Sequence, residues 1–280
     1  IQPSSDPCES AMRYSLSASL RFKKHKYIIQ QNLIFNKEED GMPDNANFHI
    51  FIVPAGSRRW AKLNGITPPE EGYVFSYETF NEIVEHIWDF GVTHFTFWAL
   101  SCASLKRRPS NEIEKLFRLF GENVRELKES TAFKKRKLCV RFAGEWRYHL
   151  PAHAAPFMHA LENDTMANPG PTLTLLIAYD GAGEMIDAVD KIRDRYQGLP
   201  ASAKTLLPES LATKFLPPVD LMIRTGGESR LSDGALMWQM RNAHLYFTET
   251  LWPDFQIAEL ASAIEKFRRQ EWKIGKLNGP

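Results

Sequence analysis

The run Phe48-His49-Ile50-Phe51-Ile52-Val53-Pro54 is apolar almost throughout and ends on a proline. A strand with one wet face would alternate apolar and polar residues. This one does not, which suits a strand covered on both sides, as in a parallel sheet. Runs of the same kind recur at 93–100 (THFTFWAL), 137–143 (KLCVRFA), 172–178 (TLTLLIA), 219–224 (VDLMIR) and 244–248 (HLYFT). Between them the apolar residues take helical spacing. Phe80, Ile83, Val84, Ile87 and Trp88 share one face, with Gly91 at a C-terminal cap position. Ile113, Leu116, Phe117 and Phe120 repeat the pattern behind Ser110, an N-cap candidate with Glu112 and Glu114 in the first turn. Met185, Ile186, Val189 and Ile192 form a third face, and Leu260, Ile264 and Phe267 a fourth. The alternation predicts an α/β fold: a single domain with a mainly parallel six-stranded central sheet flanked by helices.

That domain is expected over residues 47–280, behind a polar N-terminal arm over 1–46. The arm's basic patch, Arg21-Phe22-Lys23-Lys24-His25-Lys26, reads as a solvated face. A formal charge of +1 gives no global pull toward nucleic acid or membrane, so no nucleic-acid partner is expected and any anion binding must come from local clusters. No stretch approaches the roughly 18 consecutive apolar residues of a transmembrane helix. Without an apolar N-terminal core of secretory type, the expected location is cytoplasmic. Cys8, Cys102 and Cys139 are too scattered for a disulfide framework or a zinc site, and Cys139 reads as strand packing.

In open α/β sheets ligands sit at the carboxyl ends of the strands. The first such end reads Pro54-Ala55-Gly56-Ser57-Arg58-Arg59-Trp60. A glycine there permits close backbone approach, a helix start aims free N–H groups at an anion, and two arginines add bidentate donors. Taken alone, the turn suits a solvated basic helix start equally well. The second reads Arg224-Thr225-Gly226-Gly227-Glu228-Ser229-Arg230-Leu231-Ser232. Arg224, Arg230 and the Ser232 hydroxyl can converge on one phosphate there, the bland alternative being a turn with a surface Glu228–Arg230 ion pair. The third is Leu105-Lys106-Arg107-Arg108-Pro109. Three basic clusters on one rim would focus a positive field on a single crevice, which suits a ligand with one or two diphosphate groups.

The strings HIFIVPAGSRRWAKLNG (49–65), DLMIRTGGESRLSDGALMWQ (220–239) and HLYFTETLWPDF (244–255) resemble the motifs of the cis-prenyltransferase, or undecaprenyl diphosphate synthase, family. The resemblance spans about residues 48–272. It implies an enzyme that joins isopentenyl diphosphate to an allylic diphosphate and works as a homodimer. By position, Gly56, Ser57 and Arg59 would hold the allylic diphosphate, with Arg58 beside them and Arg108 matching the arginine before the family proline. Arg224, Arg230 and Ser232 would hold the diphosphate of isopentenyl diphosphate or another second substrate. Trp60 and Phe97 either pack the core or line the prenyl channel.

The chain also departs from the family. The essential aspartate that handles magnesium aligns with Ala55, the histidine before the second arginine with Ser229, the glutamate before Leu-Tyr-Phe with His244, and a histidine following a glycine with Tyr73, next to Gly72. Ala103-Ser104-Leu105 replaces a Glu-Asn pair, in a segment one residue longer. Magnesium takes hard oxygen ligands, which Ala55 and Ser229 do not supply as carboxylates and His244 supplies poorly. Magnesium use is therefore left open, with no metal ligands assigned, and the three substitutions together read as divergence rather than one engineered knock-out. The longer segment, Gly72-Tyr73 and the wording around Arg58-Arg59-Trp60 resemble the lavandulyl-type branch, which makes branched or cyclic products from short allylic diphosphates. The implied reading is an enzyme on dimethylallyl, geranyl, farnesyl or isopentenyl diphosphate, catalysing condensation, branching or a terpene-synthase-like cyclisation. Arg58 and Arg59 would stabilise the departing diphosphate, and His244 would serve as acid or base. The alternative is a non-catalytic subunit of a heteromer; retention of all the site arginines speaks against it.

Overall fold

The computed structural model describes residues 47–150, 155–195, 203–232 and 234–277. The arm expected over 1–46, with its basic patch and Cys8, lies outside them. Six strands form one sheet: β1 (His49–Val53), β2 (His94–Ser101), β3 (Cys139–Ala143), β4 (Thr172–Tyr179), β5 (Leu221–Arg224) and β6 (His244–Phe247). Their order is β3-β4-β2-β1-β5-β6, and every pairing is parallel. The helices are α1 (Ser57–Leu63), α2 (Gly72–His86), α3 (Cys102–Arg107), α4 (Ser110–Glu129), α5 (Thr131–Arg136), α6 (Trp146–His149), α7 (Ala155–Thr165), α8 (Gly181–Arg195), α9 (Ala203–Ser210) and α10 (Ile257–Leu277).

All five residues of β1 are buried. Successive side chains point to opposite faces, so Phe51 and Val53 share a core cluster with Trp98, Leu176 and Met222. On the other face, the α2 residue Phe80 packs its ring 4.7 Å from that of Phe97 and 6.4 Å from that of Phe95. The expected face of α2 is buried as a set, and Gly91 adopts φ +77 after the 3-10 turn Ile87–Phe90. Leu260, Ile264, Phe267 and Cys139 are likewise buried.

Two expectations need correction. Ser110 is the first residue of α4 and not its cap; the cap position is Pro109, with no side-chain hydrogen bond. The face predicted on α8 points outward, with Ile186 and Val189 more than half exposed. Gly181, Ala188 and the carboxylate of Glu184 turn inward instead, because Glu184 accepts hydrogen bonds from the Tyr179 hydroxyl (2.6 Å) and the Thr213 amide (2.7 Å).

The chain leaves β1 toward β2 and later returns on its other side at β5. Such a switch in strand order opens a crevice at the carboxyl ends of the two flanking strands. No helix among the described residues is long and apolar enough to cross a membrane.

Candidate active site

Because β1 lies between β2 and β5, the three arginine-bearing segments leave neighbouring strands at one rim. At the end of β1, Gly56 caps α1 with φ +110, and a Cβ there would stand 2.6 Å from Cδ2 of Leu251. The turn is therefore restricted to glycine by both conformation and space. One face of α1 then buries Trp60 and Ala61, while Arg58 and Arg59 project toward the rim's two flanks.

Arg59 crosses to the β5 side, where its Nη2 donates to the Gly226 carbonyl at 2.6 Å. The same two loops are stitched by Thr225. Its Oγ1 accepts from the Ala55 amide (2.8 Å) and donates to the Ala55 carbonyl (3.1 Å). Arg58 turns the other way, its Nη1 lying 3.8 Å from the buried carboxylate of Glu112 on α4. Nε of Arg108 approaches the same carboxylate at 3.4 Å, and the Tyr73 hydroxyl donates to it at 2.5 Å. The Arg108 guanidinium also lies over the Tyr73 ring, 5.2 Å from its centre. Burial holds the Tyr73 hydroxyl above its ordinary pKa; Arg108 opposes this and Glu112 adds to it. Tyr73 is thus a neutral donor at physiological pH.

On β5, Arg224 is buried and its Nη2 meets Oε2 of Glu228 at 2.6 Å. Arg230, largely exposed, reaches the same oxygen at 2.9 Å. Partial burial works against the charge on Glu228, but the two arginines outweigh it and hold the carboxyl below its usual range. Nε of Arg224 has no partner among the described residues, so a buried donor remains for a further acceptor. The surface ion pair weighed as the bland reading exists, but it includes Arg224 as well. Ser57 accepts a 2.7 Å hydrogen bond from Ser76, and Ser232 stands two residues past Arg230 with its carbonyl bound by the Ala235 amide.

One site expectation is overturned by geometry. His244 is the first residue of β6, paired in register with Leu221, so it stands at the amino end of the sheet. With a rise of about 3.3 Å per residue it lies roughly 10 Å from the rim. Its ring contacts Gln270 and Phe267 instead. It is not placed to act as acid or base on a ligand bound at the arginines. α1 begins at Ser57, next to the expected helix start at Arg58.

The positions that would correspond to a magnesium site do not fit one. Ala55 offers a methyl group, Ser229 an exposed hydroxyl and His244 an imidazole at the far end of the sheet. Among the described residues, no group of three or more His, Cys, Asp or Glu side chains could hold a metal ion. The carboxylates of Glu112 and Glu228 are already committed to arginines, while that of Glu249 lies against the Gly227 turn.

An apolar cleft lies between α2, α4, β2 and β4; its cavity volume is about 10 Å³, room for about one water molecule. Tyr77, Phe80, Phe97 and Phe120 line it. Phe97 packs 5.2 Å from Trp252 and borders the cleft, whereas Trp60 is core against Phe75.

A charged rim above an apolar cleft fits an amphiphilic phosphate ester, and comparison with known proteins agrees. The family model described as putative undecaprenyl diphosphate synthase matches residues 53–275. The chain belongs to this cis-prenyltransferase family. It is 35% identical over 243 residues to the farnesyl-diphosphate-specific ditrans,polycis-undecaprenyl-diphosphate synthase of Acinetobacter baylyi, covering 85% of this chain and 94% of that one. A geranylgeranyl-diphosphate-specific synthase of Methanopyrus kandleri is 31% identical over 273 residues, covering 95% and 96%. Among solved structures, lavandulyl diphosphate synthase from Lavandula x intermedia, in complex with dimethylallyl diphosphate, superposes with a TM-score of 0.71 at 28% identity, over 79% of this chain and 94% of that one. A probable undecaprenyl diphosphate synthase from Campylobacter jejuni gives 0.63 at 26% identity, over 80% and 96%. The family's substrates are prenyl diphosphates, and the chain's six-stranded parallel sheet is the family fold.

Sequence reasoning missed the groups that organise the arginines. Glu112 was read as a first-turn acid favoured by the helix dipole. Its signal was the Arg-Pro-x-x-Glu spacing, which puts Glu112 one turn from Arg108. Tyr73 figures in the sequence as a departure from the family and as part of the likeness to the lavandulyl-type branch, with no role assigned to its hydroxyl. Thr225 and Ser76 carried no signal at all.

Proposed function

We propose that this protein is an enzyme that binds short allylic diphosphates, with the diphosphate on the arginine rim and the prenyl tail in the cleft between α2 and α4. The observation that carries this reading is the shared Glu112 carboxylate. It gathers Arg58 and Arg108 directly above the cleft while leaving their combined charge one unit in excess. Arg59 and Arg108 then stabilise the negative charge that develops on the diphosphate oxygen as the allylic C–O bond breaks, with Arg58 beside them. Arg224 and Arg230 bind the diphosphate of a second substrate such as isopentenyl diphosphate, using the unpartnered Nε of Arg224. With no base supplied by His244, the fate of the carbocation, whether condensation, branching or cyclisation, rests on how the cleft holds the tail. The likeness to lavandulyl diphosphate synthase supports branching on short substrates. The exposed apolar pair Ile186 and Val189 on α8 supports a homodimer, since such residues on a helix face gain from being covered by a second copy. A cytoplasmic location is part of the same reading.

The poor fit of the magnesium positions supports a second reading, a non-catalytic subunit of a cis-prenyltransferase heteromer. One product assay separates the two. The protein is incubated with dimethylallyl, geranyl and farnesyl diphosphates, alone and with isopentenyl diphosphate, in magnesium and in chelator, beside Ala55→Asp. Product that survives chelation supports the enzyme as described. Product only in magnesium sinks the metal argument, and no product under any condition favours the subunit.

A further inference from the structure

The two arginines after β5 are already engaged by an anion of the protein's own. A single oxygen of Glu228, Oε2, accepts from Nη2 of Arg224 at 2.6 Å and from Nε of Arg230 at 3.1 Å. The same oxygen lies 2.9 Å from Nη2 of Arg230. Three guanidinium nitrogens of two arginines around one anionic oxygen is an arrangement equally suited to a phosphate oxygen. The two cations differ in setting. The Arg224 side chain is 7% exposed at the end of β5, whereas that of Arg230 is 65% exposed. Burial holds the pKa of Arg224 below its ordinary value; Glu228 opposes this and Arg230 adds to it. A buried guanidinium without a counter-charge is unfavourable. The carboxylate supplies the counter-charge that a bound anion would bring.

We propose that Glu228 is a built-in competitor for this site, holding Arg224 and Arg230 until a diphosphate displaces it. This rests on the reading of these arginines given above. The carboxylate has a way out, because its side chain is 43% exposed. The loop that carries it is fixed by its backbone instead. The Gly226 and Gly227 amides donate to the Thr250 and Thr248 carbonyls, each at 2.8 Å, and the Arg230 amide to the Glu228 carbonyl at 2.9 Å. Rotation of one side chain therefore clears the site and leaves both guanidinium groups in place. If the carboxylate stayed, an incoming phosphate would meet a like charge, with the buried Nε of Arg224 as the unused donor there. Displacement costs the same whatever the anion. An anion held weakly then drops out at its ambient concentration, while a diphosphate with more charge and more contacts still fills the site. Glu228 thus keeps the second site clear of simple anions.

The test titrates isopentenyl diphosphate, which is not allylic and does not ionise, into the full chain by calorimetry. Wild type, Glu228→Gln and Arg224→Ala are compared, and each is melted without ligand. Glutamine keeps the shape of the side chain and removes its charge. The expected result has opposite signs: Glu228→Gln melts several degrees lower, since Arg224 loses its counter-charge, yet binds about tenfold more tightly. A residue that merely held the loop together would lower both. Glu228→Asp, which draws the charge back by one methylene group, stands in if glutamine prevents folding, and a smaller gain in affinity is expected of it. Equal or weaker binding by these variants would overturn the competitor role alone, because Glu228 would then serve to hold the arginines for the anion. No binding by wild type, or wild-type affinity in Arg224→Ala, would overturn the diphosphate reading of these arginines, and this inference with it.

Discussion

Nη2 of Arg59 donates to the carbonyl of Gly226 at 2.6 Å, tying the loop after β1 to the loop after β5. The two strands are hydrogen-bonded neighbours, Val53 standing opposite Arg224, so the contact closes the crevice where the strand order reverses. It also explains the glycine. Gly226 has φ +89, and a Cβ there would lie 2.8 Å from Nη2 of Arg59 and 2.9 Å from the Ala55 carbonyl oxygen. Gly226→Ala is expected to cost roughly 1–2 kcal/mol in backbone strain. It is also expected to weaken binding of inorganic diphosphate by about tenfold, since Arg59 must move. Melting curves and calorimetry measure the two effects separately. A lowered melting temperature with undiminished affinity would mean that Arg59 does not need this carbonyl to bind its anion.

Tyr73 is related to Arg108 in two ways, through its ring and through its hydroxyl on Glu112. Tyr73→Phe removes only the second. A hydrogen bond from a buried hydroxyl to a carboxylate contributes about 1.5–3 kcal/mol, and stability should fall by that amount. Diphosphate affinity should change by much less than about tenfold, because the ring still supports the guanidinium. Tyr73→Ala should lose both. If Phe and Ala weaken diphosphate binding equally, the hydroxyl and not the ring positions Arg108.

The sheet was legible in the sequence because strands buried on both faces are written as unbroken apolar runs, and Ile50, Phe51 and Ile52 obey that rule without exception. The arginine positions were legible for the related reason that parallel strands put their carboxyl ends on one rim. The face of α8 was misread because periodicity marks a stripe without saying which side the sheet is on. Glu184 settled that by its bonds to Tyr179 and Thr213, partners contributed by distant segments. The same limit hid Glu112 and Thr225, whose partners Arg58 and Ala55 are remote in the chain. His244 was misplaced by a motif that says which residues are near in sequence and not which end of the strand they occupy.

His49 gives a prediction in pH. Its ring is fully buried, bound to the Pro217 carbonyl and to Oγ1 of Thr96. Burial pulls its pKa down to about 4, with the nearby His94 adding to the effect and the Pro217 carbonyl opposing it. The unfolded chain, with the ordinary value near 6.5, takes up a proton that the folded protein refuses. The resulting stabilisation is complete above about pH 6.5 and is lost as pH falls toward 4, amounting to about 3 kcal/mol over the full interval. Denaturant titrations at pH 7, 5.5 and 4.5 should show this fall, reduced in a His49→Gln variant that keeps hydrogen-bonding capacity. A fall of the same size in the variant would assign it to other groups.

His244 supplies the sharpest contrast between motif and geometry. It stands at the amino end of β6 with Nδ1 3.0 Å from Oε1 of Gln270 and its ring edge-on to Phe267 at 5.1 Å. If that is all it does, His244→Ala removes one half-exposed hydrogen bond and one aromatic contact, a loss of roughly 1–2 kcal/mol in stability. Diphosphate affinity and product turnover should be those of wild type once the variant is assayed well below its melting temperature. The pH dependence of turnover should also be unchanged, because the imidazole is not in the proton path. A drop in turnover of a hundredfold or more with intact binding would contradict this placement. It would require the His244 of a second copy to reach the rim of the first, and such a drop would then vary with protein concentration across the range where the dimer dissociates.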